Sequence, residues 1–318
     1  MSDFWHNKRV LVTGGTGFLG RHLCAKLREL GADVIAASSE HDLALQDEAD
    51  TVFQKLNFSP WKPIVFHLAA QCGGIGANMQ QPGYFCMENL LMGANVIERS
   101  ALRCVEKFVQ VGTVCSYPKH TPVPFKEDDL WNGYPEETNA PYGIAKKALL
   151  TLVQAYRQQY GFPGIYLIPV NLYGPGDHFD LETSHVIPAL IRKCIEARDS
   201  GAGFIKLWGT GAASREFLYV EDCVEALVLA AEKYDSGDPV NIGTGKEITI
   251  EQLVHLIADI VQYEGGFEWD DSKPDGQPRR CLDTSRARAE FGFEARTGLL
   301  EGLAKMVEWY EGNKPCTG

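Results

Sequence analysis

The stretch VLVTGGTGFLGRHL, residues 10–23, sets the reading of the whole chain. An apolar strand pattern runs into a turn holding Gly14, Gly17 and Gly20, and an amphipathic helix pattern follows. Glycine permits the tight turn and lets backbone approach a pyrophosphate, which then meets free N–H groups and the positive end of a helix. Glycine turns alone are common, but the strand before this one and the helix after it select dinucleotide binding. Gly14, Gly15, Thr16, Gly17, Phe18, Leu19, Gly20 and Arg21 are therefore expected at the cofactor.

The second strand ends VIAASSEH (34–41), with Ser38 and Ser39 where an NAD-binding chain carries a ribose-binding acid. Without a carboxylate there, nothing repels a ribose 2′-phosphate, and Arg21 directly follows Gly20. The pattern favours NADP(H), with Ser38 at the cofactor; nearby Glu40 leaves NAD open.

PIVFHLAA (63–70), KFVQVGT (107–113) and GIYLIPVNLYGP (164–175) read as further strands, alternating with helices around 87–102 and 142–160. Short apolar strands without strict alternation argue for a parallel sheet covered on both faces. After Pro175 the alternation weakens into a polar loop, a helix at 186–198, a mixed strand and turn region, and helices at 221–234, 248–263 and 298–312. The expected class is α/β: a Rossmann-type doubly wound parallel sheet over 1–174, with a return segment near 218–245, and a smaller C-terminal substrate-binding domain over 175–318.

With 318 residues, 45% of them hydrophobic, the chain can bury a sizeable core. A formal net charge of −12 gives no overall attraction for nucleic acid or an anionic membrane surface. No apolar run is long enough to cross a bilayer, and the first residues enter a strand without room for a signal peptide. Nine cysteines, irregularly spaced and without a CxxC pair, argue against a disulfide framework or a metal site and for the reducing cytoplasm.

APYGIAKKAL places Tyr142 and Lys146 four residues apart, on one face of a helix. A neighbouring ammonium is expected to lower the tyrosine pKa towards a value useful for acid–base work. A lone YxxxK pair reads as a surface lysine beside a half-buried tyrosine, but here it follows a glycine loop, HLAA (67–70) and VGTVCSYP (111–118).

Those motifs resemble the extended short-chain dehydrogenase/reductases that modify nucleotide sugars. PVNLYGPGDHF (169–179), SHVIPALIRK (184–193), WGTGAASREFLYVED (208–222), NIGTG (241–245) and SKPDGQPRR (272–280) are similar to the GDP-L-fucose synthase family in particular, in order, from about residue 8 to about residue 310. The resemblance implies a GDP-linked 4-keto sugar as substrate, NADPH as reductant and a homodimer built on the helix that continues from Lys146. It implies Cys115 as the base and His185 as the acid of epimerisation at C3 and C5, the ketone at C4 having acidified both hydrogens. A thiolate suits the first role if positive charge lies near it, and a histidine carries a proton near neutral pH without a large shift. Thr113 takes the family's serine position at the C4 oxygen, Tyr142 supplies the final proton, and Lys146 holds the nicotinamide ribose. Ala69, Ala70, Pro169, Asn171 and Leu172 are expected along the cofactor. Lys193, Trp208, Arg215 and Asp275 are expected at the GDP end.

Taken singly, Cys115 reads as a small buried hydrophobe and His185 as a polar helix-start residue. Cys72, in AAQCGGIGAN, is a second thiol on a loop near the site, read as packing or loop-lining. The competing activities are a related GDP-sugar or GDP-heptose epimerase/reductase and a nucleotide-sugar 4-epimerase that needs no net reductant. A redox sensor that holds NADP without turnover is the non-enzymatic alternative.

Overall fold

The structure is a computed structural model that describes residues 3–56, 62–181, 183–273 and 275–313; Cys316 lies outside the described residues. Its first half runs β1 (Arg9–Thr13), α1 (Phe18–Glu29), β2 (Asp33–Ala37), α2 (Gln46–Gln54), β3 (Ile64–His67), α3 (Ile75–Gln80), α4 (Pro82–Leu102), β4 (Lys107–Val111), α5 (Ala140–Tyr160) and β5 (Gly164–Pro169). The second half runs β6 (Asn171–Tyr173), α6 (Val186–Ser200), β7 (Phe204–Trp208), β8 (Ser214–Tyr219), α7 (Val220–Lys233), β9 (Pro239–Ile242), β10 (Glu247–Thr249), α8 (Ile250–Val261), β11 (Gly266–Asp270), α9 (Ser285–Phe291) and α10 (Leu299–Gly312).

Among the described residues the central sheet has the order β2-β1-β3-β4-β5-β9, with every pairing parallel. Successive strand residues face opposite cores. Val10, Val12, Ile64 and Phe66 pack with α1 and α7, whereas Leu11, Val65 and Phe108 pack with α2, α4 and α5. Both faces are therefore dry, which is why the strands read as unbroken apolar runs. The strand order reverses beside β1, so the crevice at the carboxyl ends of β1 and β3 is where such a sheet takes its ligand.

GIYLIPVNLYGP is not one strand. Its first part, β5, pairs with β4 and β9, while β6 leaves the central sheet and pairs with β8. Pro169, lacking an N–H, ends the first ladder. Val170 N still donates to Ile242 O at 3.0 Å before the chain turns away.

The strands β10, β8 and β6 form a second sheet, β11 and β7 a third, and α6, α8 and α10 share their apolar core. The chain returns to the central sheet through α7 and β9 and crosses once more at α9, which packs on both. Buried Glu216 of β8 ties these passages together, accepting from the backbone N–H groups of Thr244 (2.5 Å), Gly245 (2.8 Å) and Leu282 (2.6 Å). Among the described residues no helix is long and apolar enough to cross a membrane, and no group of His, Cys, Asp and Glu could hold a metal.

Candidate active site

At the end of β1, Gly14 adopts φ +67°, and a Cβ there would stand 2.8 Å from the Ala69 nitrogen. A Cβ on Gly20 would stand 2.0 Å from the Gly14 carbonyl oxygen. The glycines thus let the loop, α1 and the Ala69–Ala70 turn meet at the crevice. Gly17 is the N-cap of α1 without a side-chain capping bond, so the first N–H groups of that helix have no such partner. Thr16, Phe18 and Leu19 belong to this same turn. These features suit a pyrophosphate.

Ser38 directly follows β2, and its hydroxyl accepts from Glu40 N at 3.3 Å. Arg21 donates to Gly176 O at 2.7 Å, and His22 Nε2 lies 2.8 Å from Pro175 O, fastening the turn after β6 onto α1. Pro169, Asn171 and Leu172 lie at the β5–β6 junction, where Asn171 donates to Glu216 O at 3.1 Å.

The catalytic candidates of the first half converge between β4 and α5. Thr113 is the N-cap of a short 3-10 turn, Val114–Ser116, accepting through its hydroxyl from Cys115 N at 3.2 Å. The same hydroxyl stands beside the Tyr142 phenol. Lys146, one helical turn beyond Tyr142, is buried, donates to Val111 O at 3.2 Å and lies 6.0 Å from the Tyr142 ring centroid.

Electrostatics here correct one expectation from sequence. Burial, followed by the Cys72 and Cys115 sulfurs and Tyr166, drives Tyr142 well above its ordinary value, only partly opposed by the Thr113 hydroxyl. Lys146, whose own pKa burial lowers to about 8, is not among the groups that move Tyr142 most. Tyr142 is thereby kept protonated at neutral pH, as a proton donor must be.

Sequence reasoning left out His67. Its Nδ1 lies 2.7 Å from Thr13 Oγ1, which accepts from Ala69 N at 3.4 Å. Burial, with Lys146 adding to it, lowers the His67 pKa to about 3, so the imidazole is neutral. His67 thus fixes the turn that carries Ala69 and Ala70.

His185 comes from the second half, at the N-cap of α6. A Cβ on Gly74 would stand 3.3 Å from the carbonyl oxygen of its neighbour Ser184, so this segment packs on the loop that carries Cys72. His185 and Cys72 are both exposed, yet desolvation shifts both. A side chain that is wet but surrounded by protein lines a cleft, and that is how we read both. Burial, then His178, holds His185 below its ordinary 6.5, away from the unshifted value expected from sequence. The Cys72 thiol is raised by burial, with Lys146 opposing and Asp177 and Cys115 reinforcing the shift. Cys72 therefore stands near the catalytic groups, as a loop-lining residue beside the site would.

At the other end of the cleft, Trp208 is 62% exposed, with the Lys273 ammonium 5.5 Å from its ring centroid. Arg215 donates to Ser214 O (2.7 Å), Gln277 O (2.6 Å) and Asp275 O (2.9 Å), and burial followed by Arg280 lowers it to about 10, still charged. Both Asp275 carboxylate oxygens accept from Thr210, through its N–H (2.8 Å) and its hydroxyl (2.7 Å). Asp275 thus shapes the loop after Trp208. Half-buried Lys193 donates to Lys206 O at 3.1 Å.

The chain matches the model of the NAD dependent epimerase/dehydratase family over residues 10–243. It is 42% identical over 308 residues to a GDP-L-fucose synthase of Sinorhizobium fredii, covering 96% of either chain. A GDP-6-OMe-4-keto-L-xylo-heptose reductase from C. jejuni superposes with a TM-score of 0.90 at 27% identity, over 98% of this chain and 99% of that one. A GDP-L-fucose synthetase from Naegleria fowleri, bound to NADP, gives 0.86 at 27% identity over 97% and 95%. The chain belongs to the NAD dependent epimerase/dehydratase family, and its likeness to the GDP-L-fucose synthases runs almost its full length.

Proposed function

We propose that this chain converts GDP-4-keto-6-deoxy-D-mannose to GDP-L-fucose, inverting C3 and C5 and reducing C4 with NADPH. One observation carries the reading: the Thr113 and Tyr142 hydroxyls lie together two residues from Cys115, so a carbonyl-binding pair and a candidate base share one site. A plain reductase needs the first and has no use for the second.

Cys115 Sγ takes the proton from C3 or C5, and the electron pair it leaves moves onto the C4 oxygen. The hydroxyls of Thr113 and Tyr142 donate to that oxygen as charge develops. His185 returns a proton to carbon from the opposite face. Bound NADPH supplies the hydride for C4. Tyr142 gives its phenolic proton to the C4 oxygen, and Lys146 orients Tyr142 and holds the ribose. The turn from Gly14 to Arg21, with Ser38, Ala69, Ala70, Pro169, Asn171 and Leu172, holds the cofactor. Its glycine cradle and carboxylate-free β2 end fit NADP. Trp208 offers its face to the base or sugar, Arg215 and Lys193 their charge to the diphosphate, and Asp275 supports that loop.

We further assign a homodimer. On α4, Tyr84, Met87 and Leu91 are 46%, 57% and 39% exposed at helical spacing, and Ile144 of neighbouring α5 is 37% exposed. An apolar stripe of this kind suits a second copy of α4 and α5. Free cysteines accord with a cytoplasmic setting.

The test is incubation with GDP-4-keto-6-deoxy-D-mannose and NADPH in deuterated water, read by NMR. A fucose-configured product with deuterium at C3 and C5 is expected. NADPH oxidation without deuterium makes the chain a plain reductase. The likeness to the heptose reductase makes a GDP-linked 4-keto heptose the second substrate to supply.

A further inference from the structure

We infer that Arg280 is a positioning residue for the base: its guanidinium, held by Gln277, donates to Cys115 Sγ and favours the anion that takes the substrate's proton.

Arg280 NH1 lies 3.7 Å from Cys115 Sγ, across 165 residues of chain. Arg280 is only 6% exposed, so its charge is poorly screened by water. Its Nε donates to Gln277 Oε1 at 3.2 Å. Gln277 in turn donates to Pro118 O (3.2 Å) and Lys119 O (3.1 Å), in the segment that leaves the Cys115 turn. One glutamine thus fixes both the donor and the loop carrying its acceptor.

The strap around them is anchored on both sides. Ser214 N donates to Pro278 O at 2.9 Å and Phe125 N to Cys281 O at 2.8 Å. A planar, permanently charged fork on a rigid strap is suited to stabilising an anion at one place.

The charged and titratable groups facing Cys115 are Arg280 and Arg215 from the second half, Cys72 from the loop after β3 and Tyr142 from α5. Arg215 already donates to three carbonyl oxygens, and Arg280 is the one bonded to the sulfur. The proposal rests on Cys115 being the base. In the step, the carbon-bound proton passes to Sγ and the electron pair to the C4 oxygen. A cation that holds the thiolate therefore sets how much base is present at a given pH.

The experiment is iodoacetamide alkylation of Cys115, followed by peptide mass spectrometry across pH without substrate, in the parent, Arg280→Met and Arg280→Lys. The high-pH plateau reports access and the midpoint reports charge. In Arg280→Met the midpoint is expected to rise by about one unit, and C3/C5 deuterium exchange at neutral pH to fall roughly tenfold, recovering as pH is raised. Arg280→Lys should stay near the parent. NADPH binding checks the fold. If the methionine variant does not fold, Arg280→Gln, which keeps a donor without the charge, serves the same comparison. An unmoved midpoint overturns the inference. A raised midpoint together with full exchange in Cys115→Ala supports the pairing and removes Cys115 as the base.

Discussion

Gly143 and Cys115 lie so close that a Cβ on Gly143 would stand 2.4 Å from the Cys115 carbonyl oxygen. The contact brings α5 against the 3-10 turn, and Ser116 Oγ secures it by donating to Gly143 O at 3.0 Å. The glycine between Tyr142 and Lys146 therefore sets how near the helix comes to Thr113. Gly143→Ala must push the two backbones apart, at a cost of about 1–3 kcal/mol for overpacking of this kind. Stopped assays should show kcat at least about tenfold lower with NADPH affinity little changed. An unchanged kcat would mean that the Thr113–Tyr142 spacing is not limiting.

How much of this was legible in sequence follows from the range of each interaction. The glycine turn and the Tyr142/Lys146 pair are local patterns and could be read directly. The Arg280–Cys115 and Gln277–Pro118 contacts join segments over 150 residues apart and carry no local signature. The protonation states of Tyr142 and His185 were misjudged because burial, which no spacing reports, outweighs the neighbouring charges. GIYLIPVNLYGP looked like one strand because both halves are apolar, and only the sheets they join separate them.

Lys146 gives the reaction a pH limb. With its pKa lowered to about 8, the ammonium that holds Tyr142 is lost as pH rises through that value. The kcat/KM for reduction should bend downward near pH 8, since this parameter reports the free enzyme. Stability has the opposite sign. Between about 8 and the ordinary 10.5 the unfolded chain binds more protons than the folded one, so this group's contribution to stability rises with pH across that window. Lys146→Met should lose both dependences, which activity and thermal-melt series will show.

Tyr142→Phe removes the phenolic proton and one of two donors to the C4 oxygen. Reduction should fall by about 100-fold or more, while NADPH still binds. Thr113→Val should lose less, because Tyr142 remains. Hydride transfer at the parental rate in Tyr142→Phe would remove the tyrosine from the mechanism.

Glu216 offers a test of the joint between the two halves. Its carboxylate is the acceptor for three backbone N–H groups, from Thr244, Gly245 and Leu282. Glu216→Ala leaves them buried without that partner, at about 1–3 kcal/mol each. A loss of at least about 3 kcal/mol in denaturant unfolding is expected, and Glu216→Gln, which keeps an acceptor, should recover part of it. Equal losses in the two variants would assign the effect to charge.

Asp177 carries an unusual load for a carboxylate beside a catalytic cleft. His178 N donates to Oδ1 at 2.7 Å, but Oδ2 is buried without a hydrogen-bond partner among the described residues. Burial raises its pKa to about 7, against the opposing hydrogen bond. Below the ordinary 3.8 both folded and unfolded forms are protonated, and the group contributes nothing to the pH dependence. Between that value and about 7 the folded chain holds the proton more tightly, so stability falls as pH rises. Above about 7 the penalty of an ionised, half-satisfied carboxylate is complete. Asp177→Asn keeps an oxygen for His178 N and removes the charge. Its melting temperature should exceed the parent's at pH 8 by several degrees and match it closely near pH 4. A gain that is the same at both pH values would show that the carboxylate is not held in the raised state and that packing alone is altered.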